Sequence, residues 1–423
     1  MIPVRTLSLL GCASLSLVAS VPARHASAQA TTGPHAGMSH HSSRHAPNRK
    51  FDAGARAIGV STLASPAING KSLHEGYLTQ PMLMGSFDPF GGAVVLGGML
   101  NFEGLTLERG ELNAGIYGEG YVDRRHPHTY LHEVVATGQG GTGSSRFSVT
   151  VGKGFVPFGT DDPMSRPFVK YPINHHLAQI LERAVITGAV RYGALGVEAA
   201  RFNGDEPESP SDLPNRTRLW DSWATRVSLF PAAGVEFQVS AAEVKSPEVA
   251  VGGGLDQRKA SASMRYENAG RLYGLFEWAR TADHEEGKTA FAFSSILAEG
   301  AMSRGSLTFA ARAERTERPE EERLENLFRT PQPHNDFNIL GRTRWHILTL
   351  AASAQVMEKA SWTVAPFVEV SRQYASPLIR PTVFEPRDFY GSDRMWSLSL
   401  GVKLGAGKLH SRMGRYGAAV AHH

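Results

Sequence analysis

The sequence predicts an all-β chain: a transmembrane antiparallel β-barrel of about 14–16 strands, with one inserted loop or helix after an early strand. Three observations predict it. From about residue 92 onward the chain alternates apolar and polar residues at period two, in runs of about ten residues, the length of a tilted membrane-spanning strand. Short turns alternate with long polar connections. Trp and Tyr sit near the ends of the runs, where interfacial girdles require them.

Taken in order, residues 1–30 have the form of a secretory signal. Arg5 supplies a positive start, "LSLLGCASLSLVASV" an apolar stretch, and Ala28-Gln29-Ala30 a small-residue cleavage site. Removing this segment takes out the single cysteine and lowers the formal charge from +4 to +2, leaving no disulfide and no thiol nucleophile. With 44 basic and 40 acidic residues and no basic block, the chain is not built for nucleic acid. Residues 31–50, with His35, His40, His41, His45 and Met38, have no hydrophobic period and predict a disordered His-rich tail. Residues 51–91 are expected to be a periplasmic or lead-in segment, 92–405 the barrel, and 406–423 a C-terminal extension.

Within the barrel, "RFSVTVG" sets Phe147, Val149 and Val151 against Arg146, Ser148 and Thr150. "GVEFQVSA" sets Val235, Phe237 and Val239 against Glu236, Gln238 and Ser240. "KASASMRY" and "RMWSLSLGVKL" repeat the pattern. The turns at 230–234 and 267–271 are tight, whereas 203–218 and 314–338 are long, charged and proline-rich. Trp223, Phe230, Tyr266, Tyr273, Trp278, Trp345, Trp362, Tyr374, Tyr390 and Trp396 are the expected girdle residues. Many full charges stand at the polar positions, which suits a wet lumen better than the outer face of a soluble sandwich.

Two stretches carry a resemblance. "SVTVGKGFVPFGTDD" closes a strand on a P-F-G turn, and "AVITGAVRYGALGVEAARFNGDEP" is a hairpin ending in F-N-G before an acidic loop. Both resemble the bacterial outer-membrane porins of the phosphate-selective O/P group, with specificity over roughly residues 92–205. The resemblance implies a passive, water-filled channel in the bacterial outer membrane, in contact with membrane lipid, passing small polar solutes and trimeric in the closest relatives. It does not extend to the end of the chain: the family finishes on a strand with an aromatic last residue, whereas here "GKLHSRMGRYGAAVAHH" follows the last strand-like run.

Residues 159–183, "GTDDPMSRPFVKYPINHHLAQILER", break the strand pattern. Asn174 as a cap, with Ile173, Leu177, Ile180 and Leu181 spaced for one face, predicts a helix there. An insertion of this kind either narrows the barrel or stays at its surface. If it narrows the pore, it brings Asp161, Asp162, Arg166, Lys170, His175, His176, Glu182 and Arg183 near the constriction. Parity adds Arg146, Arg191, Arg201, Arg226, Lys259, Arg265, Arg271, Lys288, Arg312 and Lys403 to the lumen wall, against Glu198, Glu236, Glu277, Glu314 and Glu369. That balance implies either a modest anion bias or a mixed wall without selectivity.

"VDRRHPHTYLHE" (122–133) holds His126, His128 and His132, and with His175 and His176 these are the candidate metal ligands. Imidazole suits copper, zinc or nickel, weakly bound here because no closed motif is present. The alternative function is therefore a metal-handling outer-membrane protein with a His-rich tail. A barrel hydrolase would need a nucleophile, a base and an orienting group, and no G-x-S-x-G elbow occurs. The expectation is a channel without catalysis and without an organic cofactor.

Overall fold

A computed structural model describes residues 51–66, 70–106, 128–173, 175–207, 209–268, 270–321, 339–359, 361–409 and 412–420. The expected signal, the His-rich tail, His126 and Asn174 lie outside the described residues, as does the side chain of His176.

The strands are β1 (Phe51–Ser65), β2 (Leu73–Phe87), β3 (Val94–Asn101), β4 (Leu131–Thr142), β5 (Ser145–Gly154), β6 (Arg183–Tyr192), β7 (Leu195–Phe202), β8 (Ser222–Ala232) and β9 (Val235–Val244). They continue as β10 (Asp256–Asn268), β11 (Leu272–Glu285), β12 (Lys288–Arg304), β13 (Leu307–Glu321), β14 (Ile339–Ala354), β15 (Met357–Lys359), β16 (Trp362–Pro377) and β17 (Arg394–Gly407). Three short helices interrupt them: α1 (Glu103–Thr106), α2 (His175–Ala178) and α3 (Pro386–Tyr390). All pairings are antiparallel between sequence neighbours, and β1 pairs with β17 from Gly54↔Gly407 to Ser65↔Trp396, which closes the sheet. The three-residue β15 continues β14 along β16, so the wall has sixteen staves. Closure leaves no strand edge, the condition for a sheet in lipid.

The alternation falls on the two faces as the sequence predicts. Phe147, Val149 and Val151 are exposed outward, while Ser148 and Thr150 are 3% and 1% exposed inside. Phe237, Val239, Phe309, Leu348, Leu350 and Leu400 extend this apolar outer surface around the barrel. Trp223, Tyr266, Trp362, Tyr374 and Trp396 also face outward.

Several expectations need correction. Residues 51–91 are not a lead-in: they form β1 and β2, the staves that close the barrel. Part of their inner face is apolar, with Ile58, Val60, Met82 and Met84 buried beside Thr62, Thr79 and Gln80, so the usual polar-inside contrast is weakened. The apolar residues pack against Val169, Phe155, Met164 and Tyr171 of an inserted loop rather than facing water. Phe230, Trp345 and Tyr390 are buried and Tyr273 hydrogen-bonds Glu299, so these four leave the girdle. Trp345 instead anchors an internal cluster with Ile173, Phe384, Tyr390 and Met395. Arg201 shares the outward side of β7 with Val197 and is exposed, so it is not a lumen residue. β13 runs on to Glu321, seven residues into the stretch expected to be loop.

The apolar outer belt makes a direct prediction. Leu348→Arg, in the middle of β14, should cost about 2–4 kcal/mol if it meets hydrocarbon. Urea-driven unfolding from lipid vesicles reads this; a change near zero would remove β14 from the lipid face.

Candidate functional site

The lumen is the candidate site, and two segments fold into it. The first is the loop 155–182. It leaves β5 through Phe155-Val156-Pro157-Phe158-Gly159, with Phe158 buried against Val156, Ile180 and Phe202. Gly159 has φ +70° and packs so tightly that a Cβ would lie 1.5 Å from the Ala178 carbonyl oxygen. The F-N-G that ends β7 serves the same junction. Phe202 enters that cluster, Asn203 Oδ1 accepts from the Ala184 amide at 2.6 Å, and a Cβ on Gly204 would meet the Lys245 carbonyl oxygen at 2.1 Å. The two motifs that carry the family resemblance are thus where the loop is fastened to the wall.

The expected helix shrinks to the single turn of α2. Beyond Ala178 the backbone is drawn into another pairing: the Val156 amide donates to the Ile180 carbonyl at 3.2 Å, and Glu182 takes φ +55°. The apolar side chains expected on one helix face go to three places. Ile173 packs with Trp345, Ile180 with Phe158, and Leu181 beside the methionine cluster of Met82, Met84, Met99, Met164 and Met413.

The wall's charged residues hold the loop. The Val169 and Lys170 amides donate to Glu369 at 2.5 and 3.0 Å, and the Ile173 amide donates to Glu314 at 2.8 Å. These carboxylates satisfy backbone donors that an irregular buried loop would otherwise leave bare. Arg312 donates to the Lys170 carbonyl at 2.8 Å and to Glu299 at 2.7 Å, with its guanidinium over the Phe168 ring. Arg166 reaches Thr160 at 2.8 Å and Glu277 at 3.3 Å. Asp162 accepts from the Met164 amide at 2.7 Å and caps the turn that follows. Lys170 donates to Ser371 at 3.1 Å; burial lowers its pKa to about 8, partly opposed by Glu314 and Glu369.

The second segment, 412–420, comes from the C-terminal extension, and sequence reasoning missed its role. After β17 the chain turns back into the barrel it has just closed. Arg412 contacts Asp161 at 2.5 Å and Glu236 at 2.8 Å. Arg415 contacts Glu236 at 2.5 Å, Gln238 at 2.9 Å and Glu198 at 3.4 Å. Arg226 forms a two-pronged pair with Glu198, at 2.6 and 2.7 Å, and donates to the Gly414 carbonyl at 2.8 Å. Tyr416 donates to Glu133 at 2.6 Å and accepts from the Phe155 amide at 3.0 Å. Asp161 joins the two segments, since Arg265 also reaches it at 2.7 Å. Burial alone would raise its carboxyl pKa; Arg412, Arg265 and Arg415 together hold it well below the usual range. A cavity of about 280 Å³ is lined by both the segment and the wall, at Met99, Glu133 and Val135.

The histidines divide. His128 and His132 come together, with ring centroids 5.0 Å apart, beside Glu103 and Glu182. Burial disfavours a charged His128, yet Glu103 at 2.7 Å raises its pKa to about 9. His175 does not join them: its ring packs on Tyr171 at 5.6 Å, and Tyr171 stands between it and His128. Arg146 lies at the short-turn end of β5 opposite Arg191, exposed and outside the loop network. Glu103 and Lys153 were missed, and Glu182 was expected only among the charges near the pore; the fold brings all three to the histidines. A signal for Arg412 and Arg415 did exist, in the two arginines of an otherwise small and apolar ending.

No family model matches the chain, and no curated protein matches it. Solved structures do. The anion-selective porin from Comamonas acidovorans superposes with a TM-score of 0.50 at 10% identity, over 84% of this chain and 99% of that one. OmpTdeltaL8, a loop-deletion mutant of a Vibrio cholerae outer membrane protein, gives 0.48 at 10% identity, over 84% and 99%. OccK3 of Pseudomonas aeruginosa gives 0.38 at 11%, over 85% and 96%. At such identity the likeness to the first is one of fold: a transmembrane β-barrel.

Two predictions follow from the lumen charges. Glu198→Ala leaves Arg226 buried without its partner and should cost about 3–5 kcal/mol in urea-driven unfolding. The Asp161 pKa is lowered in the folded state, so its contribution is complete above its ordinary value of about 3.8 and is lost as pH falls below it. Residues 412–420 should therefore become progressively more open to protease as pH falls below about 4 and stay protected at pH 7, while Asp161→Asn should weaken that acid dependence.

Proposed function

We propose that the chain is a bacterial outer-membrane channel for passive diffusion of small polar solutes, narrowed by the loop 155–182 and stopped at rest by residues 412–420. The observation that carries this is a closed barrel with an apolar outer belt and a lumen of polar and charged side chains. A surface of that kind belongs in lipid, and a polar interior there serves polar solutes. The shared fold with the Comamonas acidovorans porin supports the reading, as does the resemblance of the two loop-fastening motifs to phosphate-selective O/P porins.

Phosphate as the solute draws no support from the lumen arginines. Arg226 is paired with Glu198, Arg265 with Asp161, Arg312 with Glu299 and Arg166 with Glu277. Paired charges leave little net field, so the anion preference we assign is slight. Assembly as a homotrimer belongs to the same reading and rests on the resemblance. No chemistry is assigned to the lumen.

Planar-bilayer recording of the refolded protein tests the proposal. The full chain should show small or infrequent openings at pH 7. A chain ending at residue 409 should conduct several-fold more, with a reversal potential close to zero in a salt gradient. No current from either chain would overturn the channel; equal currents would remove the C-terminal segment from its control.

A further inference from the structure

The histidine pair has features that the channel reading leaves unused. The ligand atoms of His128, His132 and Glu182 lie within 4.8 Å of one another. All three residues are buried. Each imidazole has its Nδ1 engaged by a carboxylate: His128 by Glu103 and His132 by Glu182, both at 2.7 Å. Glu103 thereby fixes the His128 ring, while Glu182 lies on the Nδ1 side of His132, so an ion shared by the three residues takes the place of the proton between His132 Nδ1 and Glu182. Nε2 of His132 is buried and has no hydrogen-bond partner. It lies across the ring from Glu182, outside the shared site.

The surroundings favour a cation. Glu182 is itself oriented: Thr129 donates to it from its amide at 3.0 Å and from its hydroxyl at 2.5 Å, and Lys153 donates at 3.4 Å. Glu103 is held by Thr79 at 2.7 Å and by the Gln80 amide at 2.6 Å. Glu182 lines a cavity of about 270 Å³ together with Asp205, Glu206 and Asp212, against Lys153. The acidic groups there raise the local cation concentration, with Lys153 and the Arg183–Glu206 pair offsetting part of it. Two imidazoles and one carboxylate are the donor set of zinc-type sites and also suit copper.

We propose that His128, His132 and Glu182 form a binding site for a divalent transition-metal ion of the zinc or copper class, oriented by Glu103. The site is independent of the His-rich residues 31–50 and does not depend on the channel reading. At neutral pH the ion displaces a proton from His128, so affinity rises with pH.

The test uses the full chain refolded in detergent, stripped of metal and titrated with zinc chloride, then copper chloride, against a chromophoric chelator, with magnesium chloride as control. Residues 31–50 carry their own imidazoles, so the reading is the difference between parent and variants. His132→Gln should lose one bound equivalent, and replacing His35, His40, His41 and His45 by alanine should keep it. Glu103→Gln should weaken that equivalent about 10–100-fold. Copper bound to the tail-substituted chain should show nitrogen hyperfine splitting from two imidazoles, a signature that needs no change inside the barrel. Equal stoichiometry and affinity in parent and His132→Gln would overturn the proposal. So would copper in the tail-substituted chain without imidazole splitting.

Discussion

A charge removed from water must be paired, and this barrel removes many. Closing sixteen staves in lipid leaves the polar side of every strand facing one confined interior. Two chain segments then enter that interior and exclude much of its water. The arrangement holds only because wall and insert charges match. Arg226 meets Glu198, Arg312 meets Glu299, and Asp161 receives Arg265 from the wall and Arg412 from the C-terminal segment. Asp161 lies on the inserted loop and binds the other two partners to each other.

The same constraint explains why the interior is not uniformly polar. A loop of 28 residues cannot be held by charges alone, and its apolar side chains need apolar wall. Ile58, Val60 and Phe367 receive Val169, while Trp345 and Ile347 receive Ile173. Wall carboxylates serve where the loop presents bare amides, as Glu369 and Glu314 do. The lumen is divided between apolar seats that fix the loop and charged contacts that hold the C-terminal segment. Ionic contacts of this kind are exchangeable with water and solute in a way that apolar packing is not.

What could be read from the sequence follows from range. Alternation is local, so the outward Phe147 and Val149 and the inward Ser148 and Thr150 were legible, and so was the break in period at 159–183. Where part of the wall's inner face is apolar, as in β1 and β2, the contrast that reveals a strand weakens. Arg201 fell on the wrong side although it has the opposite parity to the inward Glu198 in the same strand, so local alternation already excluded one of the two from the lumen. The partners of Arg412 and Arg415 are more than 170 positions away, and no spacing rule reaches that far. His128 and His132 were legible as a pair; Glu103 and Glu182 reach them from separate loops.

The account depends on the C-terminal segment occupying the lumen, and thiol labelling of that segment measures it directly. In a chain whose single cysteine, Cys12, is replaced by serine, Met413→Cys places a reporter among Met82, Met99 and Phe155. With the protein reconstituted in vesicles at pH 7, a charged thiol reagent should label this position far more slowly than a cysteine placed at the exposed Lys408. Asp161→Asn should speed it. Rapid labelling of position 413 in the unaltered lumen would contradict the account.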